Sequence, residues 1–428
     1  MKQNIQELAI FGGLPAFGNK LYVGRPNIGD RKRLLERIND ILDSKWFSNS
    51  GQFVNEFEQG IADKLGVKYC IATCNATLGL EIAIKACGLS GEVIVPAFTF
   101  IATAHALEWQ NITPVFCDID SHTHNIDPSV VEKLITPRTT GIMGVHLWGR
   151  GCNVEALTEI ANRHNLKLIF DAAHAFGCSY QGKTIGGFGD VEVFSFHATK
   201  FCNSFEGGAI ATNNSQLATK IRLMKNFGFA DYDCVASVGT NGKMTEVSAA
   251  MGLTSLESIE EFIAINYENY KYYQQELADI PGISLVTYDE TEKSNYQYIV
   301  VEIDEDVTQI SRDKIQEILW AENILARRYF YPGCHQMEPY RSQNRHTNLS
   351  LPNTNLLASK VLVLPTGTSV TATEITNICQ LLRLVVSQSH QIQGELFYQN
   401  AQPTYVQPTF TGDRKECKSQ HISCYLQP

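Results

Sequence analysis

The stretch Leu166-Lys-Leu-Ile-Phe170, running straight into Asp171-Ala-Ala-His174-Ala-Phe-Gly177, decides how this chain folds. After a polar turn it continues as Asp190-Val-Glu-Val-Phe-Ser195-Phe-His197-Ala-Thr-Lys200, and then as Glu206-Gly-Gly208-Ala-Ile210. Leu166–Phe170 and Val191–Phe194 are short, apolar and rich in β-formers, the pattern of strands buried on both faces of a parallel sheet. Each delivers polar groups just past its carboxyl end: Asp171 after the first, Ser195 and then Lys200 after the second. Open α/β sheets bind their ligands outside that edge.

Further apolar runs of the same kind occur at Tyr69–Thr73, Val93–Val95, Val115–Cys117, Ile142–His146 and Ala209–Thr212. With the two above they make seven strands. Helical patterns separate the first six, which predicts βαβ units and a mostly parallel sheet. The connection from the sixth strand to the seventh is too short for a helical crossover, so the seventh strand is expected to run antiparallel. Amphipathic helices are expected at Asp30–Leu42 and Val54–Leu65. Asn75, Asp127-Pro128 and Asn153 read as helix starts.

Beyond Gln216 lie long helical stretches at 215–226 and 245–279, the second broken near Ile265. Strands follow at 283–288, 296–303 and 360–364, with helices at 312–322 and at 372–382. The last opens on the capping box Thr371-x-x-Glu374. The expected division is an extended arm at 1–30, a large α/β domain at 31–260, a smaller α+β domain at 261–388, and a polar, disordered tail at 389–428.

Composition bounds the function. Hydrophobic residues at 44% and charged ones at 19% describe an ordinary globular protein,. A net charge of −10 argues against a nucleic-acid partner, which would want a basic face,. No apolar run reaches a membrane span, and the N-terminal residues carry no secretory h-region, so a cytoplasmic protein is expected. The 12 cysteines are scattered without a C-x-x-C pair, which predicts free thiols and no metal site,.

An acid, a hydroxyl and a lysine at one rim suit a cofactor with a basic ring nitrogen, a phosphate and an aldehyde. That cofactor is pyridoxal 5'-phosphate (PLP). Lys200 would hold it as a Schiff base and then shuttle a proton, which needs a side chain of tunable pKa. Asp171 would pair the ring nitrogen. Thr73-Cys-Asn75-Ala76-Thr77 joins a strand to a helix whose N-terminus suits a phosphate, with Ser195 beside it. Phe100 can lie on the cofactor ring or fill core space, and His174 can flank the ring or support from behind. His197 has the weaker claim. Taken singly, each residue has a plain structural reading as a cap or surface charge; the combination favours the cofactor.

Phe194-Ser-Phe-His-Ala-Thr-Lys200, Glu206-Gly-Gly-Ala, Asp171-Ala-Ala-His174-Ala-Phe-Gly and Pro96-Ala-Phe-Thr-Phe-Ile-Ala-Thr103 together resemble the DegT/DnrJ/EryC1/StrS family over residues 20–385. These are PLP-dependent sugar aminotransferases of fold type I. The segment Gly239-Thr-Asn241-Gly-Lys-Met244 is similar to the family's interface motif, which implies a homodimer in which Asn241 reaches the neighbour's cofactor phosphate. The resemblance implies glutamate as donor, a nucleotide-linked 4-keto-6-deoxyhexose as acceptor, and ping-pong transfer. A dehydratase branch of the family carries histidine where Lys200 stands, so Lys200 implies transamination. Lys243, Arg327 and Arg328 are the cationic candidates for the nucleotide diphosphate. The chain departs from the pattern in the Asn-Ala-Thr of its phosphate loop, in Phe100 where Tyr or Trp is common, and in Gly151-Cys where relatives place proline. An aminocyclitol, keto sugar acid or aminobenzoate-type acceptor stays open, as does a catalytically silent binding module.

Overall fold

The computed structural model describes residues 2–343 and 350–401. Its main sheet has seven strands: β1 (Tyr69–Thr73), β2 (Glu92–Pro96), β3 (Thr113–Cys117), β4 (Thr139–Val145), β5 (Lys167–Asp171), β6 (Val191–Ser195) and β7 (Gly208–Thr212). They lie in the order β1-β7-β6-β5-β4-β2-β3. Every neighbouring pair is parallel except those made by β7, which runs antiparallel to both β1 and β6. The connection from β6 to β7 contains no helix, which forces this reversal, because a parallel return needs a crossover,.

Apolar side chains leave the sheet on both faces, so both must be covered. One face packs on the helices Arg31–Ser44, Gln52–Leu65 and Glu246–Glu257. The other packs on Ala76–Cys87, Ala102–Glu108 and Ser215–Met224. The expected helix starts are present: the Asn75, Asp127 and Asn153 side chains each accept a backbone N–H of the following first turn. Glycine sets one close packing, since a Cβ at Gly252 would lie 2.5 Å from the Phe57 ring.

A second, antiparallel sheet holds β8 (Ile283–Leu285), β9 (Ile299–Ile303) and β10 (Val361–Leu364). It shares a core with Ile259–Leu277, Arg312–Ala321 and Ala372–Ser387, and Thr371 with Glu374 forms the expected capping box. The N-terminal segment is bound into this core rather than extended. Ile5, Leu8, Phe17 and Leu21 are buried there, and Leu21–Tyr22 pairs parallel with Ile324–Leu325. The buried Glu322 carboxylate accepts the N–H groups of Ala9 at 2.7 Å and Ala16 at 2.6 Å.

Other elements also differ from expectation, among them the strand expected at 283–288, which ends at Leu285. The long helix breaks at Ser258, which ends Glu246–Glu257 and begins Ile259–Leu277, and not near Ile265. Asn266, beside the expected break, is buried within the second helix, and its Nδ2 donates to the Asn295 carbonyl at 2.9 Å. β9 starts at Ile299 instead of Tyr296, because Tyr296 sits at φ 49° in the left-handed region that a strand cannot use,. The segment from Ser389 is a helix to Ala401: its Gln-rich composition hides the pair Ile392 and Leu396, four residues apart, which dock on the small-sheet core,. The remainder of the expected tail, 402–428, lies outside the described residues.

At the carboxyl edge of the main sheet, Gly208 pairs with Ser195 on one side and Thr73 on the other. A Cβ on Gly208 would meet Ala76 N at 2.6 Å and Asn75 C at 2.7 Å. Gly208→Ala is expected to cost about 1–3 kcal/mol of unfolding free energy, read by urea denaturation, because the atoms it strikes are backbone and cannot rotate aside.

Candidate active site

The fold brings Ser195, Gly208 and Thr73 into one row at the rim, and the helix Ala76–Cys87 begins beside them. Asn75 lies in extended backbone and its Oδ1 accepts Leu78 N at 2.8 Å, so this cap leaves the helix's first N–H groups, those of Ala76 and Thr77, to other partners,. Cys74 N donates to Gly242 O at 2.9 Å, so the segment carrying Asn241 and Lys243 is tied to the same loop. Ser195 Oγ is half-buried and accepts only a long bond, 3.4 Å, from His197 N. Amide donors at a helix start, a hydroxyl and a glycine that admits close approach form a cup suited to a phosphate.

Next along the rim is Asp171, buried at the end of β5. Its Oδ2 accepts the Thr103 hydroxyl at 2.8 Å, and Thr103 pairs with Thr99 at 3.0 Å. Oδ1 accepts Ala173 N at 3.1 Å. Burial pushes the carboxyl up from its ordinary value, against these hydrogen bonds and against the charge of Lys200, which favour the anion. A carboxylate so placed gains most from a basic partner that brings a proton to share.

Lys200 stands across from it, in the turn after β6. Burial draws its amine down to about 8, while Tyr329 and Asp171 push it back up. Its Nζ donates to the Tyr298 hydroxyl at 3.0 Å. An amine that loses its charge near neutrality can act as nucleophile and as base.

His174 is buried and lies almost parallel to the Phe330 ring, with centroids 5.8 Å apart and planes 9° apart. Its Nδ1 accepts the Trp148 backbone N–H at 3.2 Å, so the ring carries its proton on Nε2 and is neutral,. Burial, with Lys200 nearby, holds its pKa well below the usual imidazole range. His197 instead pairs with the Thr199 hydroxyl at 2.8 Å and the Glu206 carboxylate at 3.3 Å, as a brace of its own turn.

The other expected residues divide. Phe100 is 54% exposed and leans on Phe330 at 6.1 Å, available to a ring above the rim. Asn241 is exposed, on backbone that bridges to Asn226. Lys243 is spent partly inside the chain, on Asn226 Oδ1 at 2.9 Å and over the Phe227 ring. Arg327 is exposed over Tyr329, whereas Arg328 pairs with Asp313 at 2.9 Å and lies over Tyr331. Three partners were not foreseen: Thr103 under Asp171, Trp148 on His174, and Tyr298 on Lys200. Thr103 stands four residues after Thr99, a one-face spacing that was legible. Trp148 contributes only a backbone N–H, and Tyr298 lies inside the strand expected at 296–303.

This geometry has counterparts. The model of the DegT/DnrJ/EryC1/StrS aminotransferase family matches residues 29–383. A dTDP-4-amino-4,6-dideoxy-D-glucose transaminase of Shigella dysenteriae is 38% identical over 345 residues, 81% of this chain and 93% of that protein. A GDP-perosamine synthase of Caulobacter vibrioides is 37% identical over 331 residues, 75% of this chain and 87% of that one. Among solved structures, DesI in the presence of its TDP-sugar product superposes with a TM-score of 0.88 and 49% identity, covering 92% of this chain and 100% of that one. The sheet, the rim and these matches lead to one statement: the chain is an aminotransferase belonging to the DegT/DnrJ/EryC1/StrS family.

Proposed function

We propose that this aminotransferase carries PLP and moves the amino group of glutamate to C4 of a thymidine-diphosphate-linked 4-keto-6-deoxyhexose in a ping-pong cycle. The observation that carries the cofactor reading is the row of groups along one sheet edge: a phosphate-sized cup at Ala76, Thr77, Ser195 and Gly208, then buried Asp171, then the amine of Lys200. The acceptor reading is supported by the dTDP-sugar transaminase and by DesI, whose likeness to this chain covers most of both proteins.

When bound, PLP supplies an aldehyde and an electron-accepting ring. The chain's own residues do the rest. The helix start and Ser195 receive the phosphate and fix the cofactor's register. Asp171, oriented by Thr103 and Ala173, holds the proton at the ring nitrogen. Neutral His174 flanks the site with an N–H donor and no charge to compete with that proton. Phe100, exposed at the rim, would cover one side of that ring. The amine of Lys200 would hold the aldehyde and, when free, would serve as the base that takes up and returns a proton. Arg327 faces outward at the mouth, where a diphosphate would lie, with Arg328 and Lys243 as weaker candidates because each already has a partner.

The same reading makes the enzyme a homodimer, with Asn241 reaching the partner's phosphate cup, and places it in the cytoplasm. The exposure of Asn241 supports the first. The second is in keeping with ten unpaired thiols among the described residues, and no helix there is long and apolar enough to cross a membrane.

Incubation with glutamate and TDP-, GDP- and UDP-linked 4-keto-6-deoxyhexoses, followed by mass analysis, is expected to give an aminated TDP-sugar; no product from any of them would reject the acceptor. Borohydride reduction of the PLP-loaded protein should place the label on Lys200 by peptide mapping. Lys200→Ala should abolish that label and lower turnover by at least about 10³-fold. Arg327→Ala should raise the KM for the nucleotide sugar about tenfold more than the KM for glutamate, since a lost charge-assisted hydrogen bond is worth about that factor.

A further inference from the structure

The ε-amine of Lys200 is held from the opposite side of the cleft. Tyr298, which accepts it at 3.0 Å, immediately precedes β9 of the small sheet. The phenol ring is buried and packs on His174, with centroids 4.8 Å apart. Two neighbours on the same segment grip the loop after β5: Asn295 Nδ2 donates to the His174 carbonyl at 2.9 Å and Gln297 Nε2 donates to it at 2.7 Å. Tyr296, between them, takes the left-handed conformation that turns the segment so that Asn295, Gln297 and Tyr298 all meet the site. One short segment of the small sheet therefore fixes the spacing between the His174 loop and the lysine.

We propose that Tyr298 is the positioning residue for proton transfer, its phenol oxygen aiming the free ε-amine of Lys200 at the carbon that loses the proton. This rests on the PLP reading above. In that step a C–H bond of bound glutamate breaks, its electron pair stays on the carbon side, and the proton passes to the neutral Nζ, which later gives it up to the cofactor carbon. A neutral amine has one lone pair. Donating one N–H to Tyr298 fixes where that lone pair points.

Burial drives the Tyr298 phenol far above its usual range, so it keeps its proton and accepts from both the amine and the ammonium form of Lys200. The groups facing Lys200 are Asp171 at the end of β5, His174 from the loop after it, Tyr298 from the segment before β9, and Tyr329 from the loop after Ile324–Leu325. Of these, only Asp171 carries a charge. An accepted hydrogen bond favours the ammonium, so removing the phenol lowers the amine's pKa further. The acid limb of the rate profile then moves to lower pH, while the plateau falls because the base is no longer aimed.

The test is single-turnover spectrophotometry of the PLP-loaded enzyme with glutamate and α-deuterated glutamate, from about pH 6 to about pH 10. Tyr298→Phe is expected to keep full borohydride labelling at Lys200, to lose roughly ten- to a hundredfold in plateau rate, to shift the acid limb down by about one unit, and to show a larger deuterium effect. Tyr298→His, which restores a ring nitrogen as partner, should recover part of the rate and stands in if the Phe variant does not fold. Tyr288→Phe removes a phenol that bonds the Tyr298 carbonyl at 3.0 Å without touching the lysine, and is expected to leave the limb in place. An unchanged rate and limb in Tyr298→Phe, or an equal shift in Tyr288→Phe, would overturn the proposal. A wild-type protein that takes no label at Lys200 removes the PLP reading itself; a labelled wild type with an insensitive limb removes only this one.

Discussion

Everything at the rim depends on one backbone contact, the approach of Gly208 to the start of the helix Ala76–Cys87. β7 enters the sheet against the grain, between two strands that both point their carboxyl ends at the ligand. Its first residue must therefore pass through the space where a side chain would otherwise stand. With hydrogen in that place, Ser195 and the helix's first amides lie in one row. A phosphate bound by such a row also gains from the helix dipole, which falls away within a turn, so the closeness is energetic as well as geometric.

From that anchor the remaining groups are ranked by how far each can be desolvated. Asp171 can be buried because two donors hold it and a lysine faces it. His174 is buried too, but only as a neutral ring, since its Nδ1 is already turned toward an N–H of Trp148. Lys200 is half-buried, enough to lose its charge near neutrality but not enough to be inert. These three states in close proximity form a system in which a proton has somewhere to come from and somewhere to go.

Much of this could be read from the residues. The seven strands, the reversal of the last, and the placement of Asp171, Ser195 and Lys200 at one edge follow from short apolar runs and from loop length. They are local signals, and burial on both faces makes them strong. What escaped was the chemistry that enters from elsewhere. Tyr298 reads as one more residue of the strand expected at 296–303, and only the packing of the small sheet reveals that its hydroxyl meets a lysine 98 positions earlier. The helix Ser389–Ala401 was hidden by its glutamines, because two apolar residues one turn apart are a thin signal until a core is there to receive them. The break falls at Ser258, which ends one helix and begins the next, a position that helical periodicity alone leaves open.

The clasp between Glu322 and the first segment bears on where this chain can be shortened. The carboxylate lies inside the protein, and Ala9 and Ala16 each give it a main-chain donor. Trimming the start of the polypeptide would therefore strip that carboxylate of both main-chain donors and of Lys2, whose Nζ lies 3.6 Å away,. The segment from Ile5 to Tyr22, which stands ahead of the part matched by the family model, belongs to the folded body through these bonds and the burial of Ile5, Leu8, Phe17 and Leu21.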